Sequence, residues 1–213
     1  MKLALLAKVT AFHAPLGQPI QSKSGTAVGT SITVSFDSQP KVGNLLIACV
    51  GSNDGDATNP ANWTTAVNKV NVTDDDFIRI AYRVAGVAES LSVAFTGFVG
   101  NNQCLSIAEF DVTNASPSDV SSSAGETIGA TSQTSGTTAA TAQNSEISVA
   151  CWAVRAAISA ISLSNGFSIL HSLSNSISFV SGFKIETASG AKESTMSWTT
   201  AGNSIGAIAT FKI

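Results

Sequence analysis

Charge is what this 213-residue chain has least of: only 12% of its residues are Asp, Glu, Lys or Arg, against about 25% in ordinary soluble domains. Its eleven basic and fourteen acidic residues leave a net charge of −3, and the basic ones are scattered, which argues against a nucleic-acid-binding face. Histidine occurs twice, as His13 and His171, in unrelated segments, so no paired-histidine metal motif exists. The three cysteines, Cys49, Cys104 and Cys151, are an odd number without metal-ligand spacing. Each lies in an apolar, strand-like run, which favours buried thiols, with a Cys49–Cys151 disulfide as the sharper alternative. No apolar run approaches the ~18 residues of a membrane span. The start, Met1-Lys2-Leu3-Ala4-Leu5-Leu6-Ala7-Lys8, is interrupted by Lys8 before it reaches the ~7–15 apolar residues of a secretory signal. Synthesis in a cytoplasm without a cleaved export signal is therefore expected.

Ser, Thr, Ala and Gly stand where charges are missing. A surface polar by hydroxyls has few ions to desolvate, so it can be covered by neighbours at low electrostatic cost.

The chain also repeats itself. Leu45-Leu46-Ile47-Ala48-Cys49 returns as Ile147-Ser148-Val149-Ala150-Cys151, and Ile80-Ala81-Tyr82-Arg83-Val84 as Ser181-Gly182-Phe183-Lys184-Ile185. Glu89-Ser90 returns as Glu193-Ser194, Val93-Ala94-Phe95-Thr96 as Met196-Ser197-Trp198-Thr199, and Ile107 to Val112 as Ile208 to Ile213. What repeats is apolar pattern and small residues, with no acid, base or nucleophile of a catalytic kind. The duplicated element is scaffold.

Ile32, Val34 and Phe36 alternate with Thr33 and Ser35, the period of a half-buried strand. Further short strand-like runs follow at Leu45–Val50, Trp63–Val67, Phe77–Val84, Leu91–Phe95 and Leu105–Val112, and little helix is expected anywhere. Residues 113–145 have few large apolar side chains, which leaves a linker or crossing strands; Ile128 and the Thr residues suit an exposed edge strand. Each half supplies four or five strands, and one such sheet would keep a bare apolar face. The pattern therefore predicts an all-β fold: one antiparallel β-sandwich, jelly-roll-like, over residues 26–213. Its sequence-related halves are about 30–112 and 137–213, with a crossover at 113–136. Residues 1–25 form an N-terminal extended arm, punctuated by Pro15, Gly17 and Pro19. Its Leu3, Leu5, Leu6 and Val9 need cover, either on its own domain or on a neighbouring subunit.

Candidate sites are few. Asn53, Asp54 and Asp56 surround Gly55 with oxygens of the kind Ca²⁺ takes, although Asx-Gly loops are ordinary turns as well. Asp74-Asp75-Asp76 has the composition of an exposed tip. Trp152 and Trp198 fall in strand-like runs and belong to the core. Trp63 abuts the polar loop Gly51–Asn62 and is the one tryptophan placed for sugar stacking; Phe167 stands near its place in the second half. The sequons at Asn62, Asn71 and Asn114 are expected by chance in a chain so rich in Ser and Thr. With neither nucleophile elbow nor phosphate loop present, the chain is not expected to be an enzyme, and no cofactor is implied.

The order of motifs resembles a known family. Pro40-Lys41-Val42-Gly43-Asn44-Leu45-Leu46 precedes Pro60-Ala61-Asn62-Trp63-Thr64, then Tyr82-Arg83-Val84, then Ala85-Gly86-Val87-Ala88-Glu89-Ser90. Pro117-Ser118-Asp119 begins the crossover, and a shorter second round ends the chain. This is similar to the two-repeat β-sandwich domain of tailed-bacteriophage virion proteins and prophage-derived genes, over about residues 30–213. In the second round Phe167 replaces the tryptophan and the Pro-x-x-Gly turn is missing. The resemblance implies a virion component and brings no catalytic residues. The leading expectation is a capsid decoration (cement) protein, with the phage major capsid protein and neighbouring copies of itself as partners. A trimer is the guessed assembly, with no nucleic acid and no membrane. The alternative is a tail or fibre component whose sandwich binds glycan through the Trp63 loop. A secreted adhesin is disfavoured by the lack of a signal peptide.

Overall fold

A computed structural model describes residues 17–53, 55–71, 75–100 and 102–213, and every described element is a β-strand or a short loop. The strands are β1 (Pro19–Val28), β2 (Ser31–Ser35), β3 (Leu45–Ser52), β4 (Thr64–Val70), β5 (Phe77–Val84), β6 (Ser92–Thr96) and β7 (Asn102–Phe110). They continue as β8 (Ser118–Thr134), β9 (Glu146–Val154), β10 (Ser162–Leu163), β11 (Ser168–Asn175), β12 (Ile177–Glu186) and β13 (Thr195–Lys212). All named pairings are antiparallel. The protein is a β-sandwich.

Two sheets carry the architecture. The first runs β1-β7-β3-β5-β4. The second runs β10-β13-β9-β12-β11, with β8 also paired to β13. Omitting β10, its order from the other edge is β8-β13-β9-β12-β11. Ile47 lies between Tyr82 and Ala108 in the first sheet, as Val149 lies between Phe183 and Ala209 in the second.

The central strands are apolar on both faces, so each sheet must be covered twice. On β3, Leu45, Ile47 and Cys49 enter a core shared with Ile147, Val149 and Cys151 of β9. Their neighbours Leu46, Ala48 and Val50 point away, into a second core roofed by Ile32 and Val34 of β2 and Val93 and Phe95 of β6. On β9, Ala150, Trp152 and Val154 likewise face a third core, with Phe167, Met196 and Trp198. The sheets thus cover each other on one side only, and the short β2–β6 ribbon is the cover for the outer side of the first sheet. The single inter-sheet core expected from strand counting becomes three, because the central strands are apolar on both faces and their outer faces need covers of their own.

Two boundaries move. Residues 19–25, expected within the arm, belong to β1, which pairs with β7 from Pro19↔Phe110 to Val28↔Asn102. Polar Gln21, Ser22, Lys23 and Ser24 hid this strand, which lies at a sheet edge where such residues are tolerated; Pro19, lacking an N–H, occupies its first position. Within the expected crossover, Ser118–Thr134 is a 17-residue edge strand on β13, as the crossing-strand reading anticipated. Leu3, Leu5, Leu6 and Val9 lie outside the described residues.

The sheets pack closely at Gly51. A Cβ there would stand 2.6 Å from the Phe179 ring of the opposite sheet. Gly51→Ala is therefore expected to lower unfolding free energy by about 1–3 kcal/mol through overpacking. Denaturant unfolding of the variant checks this, and unchanged stability would contradict the packing described.

Candidate functional site

At one end of the sandwich, the Asn53 and Asp56 loop is held by arginines. Arg79 on β5 donates to Asp56 Oδ1 at 2.5 Å, Asn59 Oδ1 at 2.7 Å and the Ala57 carbonyl at 2.6 Å. Its guanidinium also lies over the Phe77 ring, 5.1 Å from the centroid. Burial draws its pKa down, and the Asp56 carboxylate opposes that shift. Arg155, in the loop that follows β9 of the second sheet, donates to Asp76 Oδ1 at 2.8 Å and to the Asn53 carbonyl at 3.1 Å.

These contacts bear on the candidate Ca²⁺ ligands and correct the expected exposed tip. Asp56 Oδ1 is engaged by Arg79 and the Ala57 N–H, and Asn53 Oδ1 accepts from the Asn102 N–H. In these contacts Asn53 and Asp56 brace the loop; Asp54 lies outside the described residues. Asp76, expected at an exposed tip, is buried and ion-paired. The signal missed was Arg155, about eighty residues away, whose partner no local pattern reveals.

Trp63 is also corrected. It is only 9% exposed and packs in the outer core of the first sheet, so its ring offers no open stacking platform. The turn before it places Asn62 at φ 65°, and the Trp63 N–H donates to the Pro60 carbonyl at 3.2 Å. A cleft of about 300 Å³ lies against Trp63, walled by Asn62, Arg83 and Glu89. Arg83 Nε pairs with Glu89 Oε2 at 3.0 Å, and the same oxygen accepts from the Gly86 N–H at 2.9 Å. The sandwich's other half carries a similar feature. Asn165 has φ 57°, the Phe167 N–H donates to the Ser164 carbonyl at 3.3 Å, and a cleft of about 560 Å³ holds Asn165, Lys184, Glu186, Lys192 and Glu193. In both clefts each cation is matched by a carboxylate, so neither carries a strong field of one sign. Trp152 and Trp198 are buried in the third core, as their strand context indicated.

The remaining histidine contact lies in the seam between the sheets. His171 Nδ1 and Ser106 Oγ are 2.8 Å apart, and Ser181 Oγ donates to Ser106 Oγ at 2.8 Å. Burial lowers the His171 pKa and favours the neutral ring. Nucleophilic catalysis needs a serine that a substrate can reach, whereas Ser106 and Ser181 are buried. The trio is a polar tie across the seam.

Comparison with protein-family models, with curated proteins and with solved structures finds no match to this chain.

All three cysteines are free and buried. Burial pushes the Cys104 thiol up to about 12. Cys151 is also raised, by burial first and then by the adjacent Cys49 thiol. Thiolate is the reactive form, so a disulfide reagent is expected to leave the native protein unmodified at pH 8 and to titrate three thiols after denaturation. Rapid labelling of the native protein would contradict the packing of the seam.

Proposed function

We propose that this chain is a structural virion protein of a tailed phage, acting as a decoration (cement) protein on the capsid surface. The observation that carries the reading is the stacked body itself. Both faces of each sheet's central strands are buried, and in a chain with 12% charged residues the outer strands present a hydroxyl-rich exterior. Such a brick is stiff and cheap to desolvate, two properties that suit covering a seam between subunits. The ordered series of motifs resembling tailed-phage virion domains supports the same reading. So does the common strand order of the two sheets, which fits descent from one duplicated unit.

The partners on this reading are the major capsid protein and further copies of the chain. Many weak, repeated contacts would add through avidity, and closed symmetry such as a trimer would suit a local three-fold position. The site of action is the virion, after synthesis in the host cytoplasm. The tail-fibre alternative relied on an exposed Trp63 ring, and its burial leaves that alternative without a supporting observation.

Particles lacking this protein are expected to lose infectivity faster on heating and on osmotic shock, and purified protein added back should restore resistance. Equal survival with and without it would overturn the cement role.

A further inference from the structure

The fold builds one cleft twice, and in the second version its ion pair is parted. In the repeat Arg83 corresponds to Lys184, and Glu89 to Glu193. The ladders agree for the cations: Arg83 lies opposite Leu46 on β3, and Lys184 opposite Ser148 on β9. In the first half cation and acid join directly, Arg83 Nε to Glu89 Oε2 at 3.0 Å, in the wall of a cleft of about 300 Å³. In the second half no ion pair joins Lys184 to Glu193, although both line a cleft of about 560 Å³.

Two differences in sequence part them. Glu186 stands where the first half has Ala85, and it engages Lys184 at 3.0 Å. The chain from Lys184 to Glu193 is also three residues longer than that from Arg83 to Glu89, which lets the acid find other partners. Thr137 Oγ1 donates to Glu193 Oε2 at 2.6 Å, and Asn165 Nδ2 to the Glu193 carbonyl at 3.0 Å. Glu193 itself is exposed, at the rim.

The floor holds an excess of cation. Glu186 is buried, and two ammonium groups meet its Oε2, Lys184 at 3.0 Å and Lys192 at 3.5 Å. Ser148 Oγ donates to Glu186 Oε1 at 2.8 Å. Lys192 is buried as well, and donates to the Ala188 carbonyl at 2.5 Å. Its backbone is fixed by the Thr138 side chain, which accepts the Lys192 N–H at 2.9 Å. One carboxylate cannot neutralise two ammonium groups, so one positive charge is left over at the floor. Burying such a trio costs desolvation free energy, and the first half shows that the fold closes without one. Departures from local rules that the scaffold does not require concentrate at functional sites.

We propose that the second-half cleft binds a small zwitterion, its anionic end on Lys184 and Lys192 and its cationic end on Glu193. The volume falls within the ~300–1,000 Å³ of small-molecule sites. Lys184 Nζ has three N–H donors and gives one to Glu186, which leaves donors for an incoming carboxylate. Such a ligand restores, through its own two charges, the pairing that Arg83 and Glu89 make directly. A singly charged ligand would answer only one end. This inference goes beyond the virion reading and does not rest on it.

NMR titration of the full chain with free glycine, 4-aminobutanoate and 6-aminohexanoate tests it, read at the amides of Asn165 and residues 191–194. Saturable shifts there are expected with at least one of the three. Analogues of the same chain length that carry only the carboxylate or only the ammonium should bind about fivefold more weakly. Lys184→Met, which leaves Glu186 paired with Lys192, should weaken the zwitterion about fivefold. Glu193→Gln, which keeps an acceptor for Thr137, should weaken the zwitterion similarly and leave the carboxylate-only analogue unchanged. Absence of saturable shifts with all three zwitterions would overturn the proposal. So would equal affinity for the singly charged analogues, a comparison made on the parent protein alone, or unchanged zwitterion binding in both folded variants.

Discussion

Two-sided apolarity of the central strands is the constraint from which the rest follows. Where β3 alternates Leu45, Ile47, Cys49 with Leu46, Ala48, Val50, neither face can be left to water. The same holds on β9. At roughly 1.5–3 kcal/mol for each large side chain withdrawn from water, these strands alone outweigh any surface ion pair, whose worth is about 0–1 kcal/mol. The sheets therefore stack on one side and draw smaller covers over the other. The hydroxyl-rich outer strands, β1, β4, β8 and β11, are what remains to meet solvent or a partner.

Charge then has a restricted role. Several of the few ionic groups brace joints, while Lys23–Asp37 stays at the surface. Arg79 and Arg155 fasten the Asn53–Asp56 loop, and Arg155 does so from the loop that follows β9 of the opposite sheet. Arg83 and Glu89 fasten the turn beside Trp63. Glu186 gathers Lys184 and Lys192. Removing one member of such a part-buried pair leaves its partner without compensation, which costs more than the pair contributes.

The strands were legible in the sequence where side chains alternate or cluster. Ile32 and Val34 alternate with exposed Ser31, Thr33 and Ser35 in β2, and the run from Leu45 marks β3. The edge strand β1 was not, because Gln21, Lys23 and Ser24 carry no apolar period. The outer cores were missed for a related reason: a continuous apolar run announces burial on both faces but does not name the cover. At the loops, residue type misled. Asp56, Asp76 and Trp63 look like ligands or platforms by local sequence, and their partners Arg79, Arg155 and the core around Phe95 come from distant segments.

The claim on which the account rests is that the shared seam makes the two sheets one cooperative body. Its most direct measurement is equilibrium unfolding followed separately in each half, using Trp63 fluorescence in a Trp152→Phe/Trp198→Phe background and Trp152/Trp198 fluorescence in a Trp63→Phe background. Each background is first compared with the parent by circular dichroism, which reports on all strands together. The account expects the fluorescence and circular dichroism transitions to coincide within each background. A first-half transition at one denaturant concentration and a second-half transition at another, within a single background, would show that the halves fold apart and would contradict it.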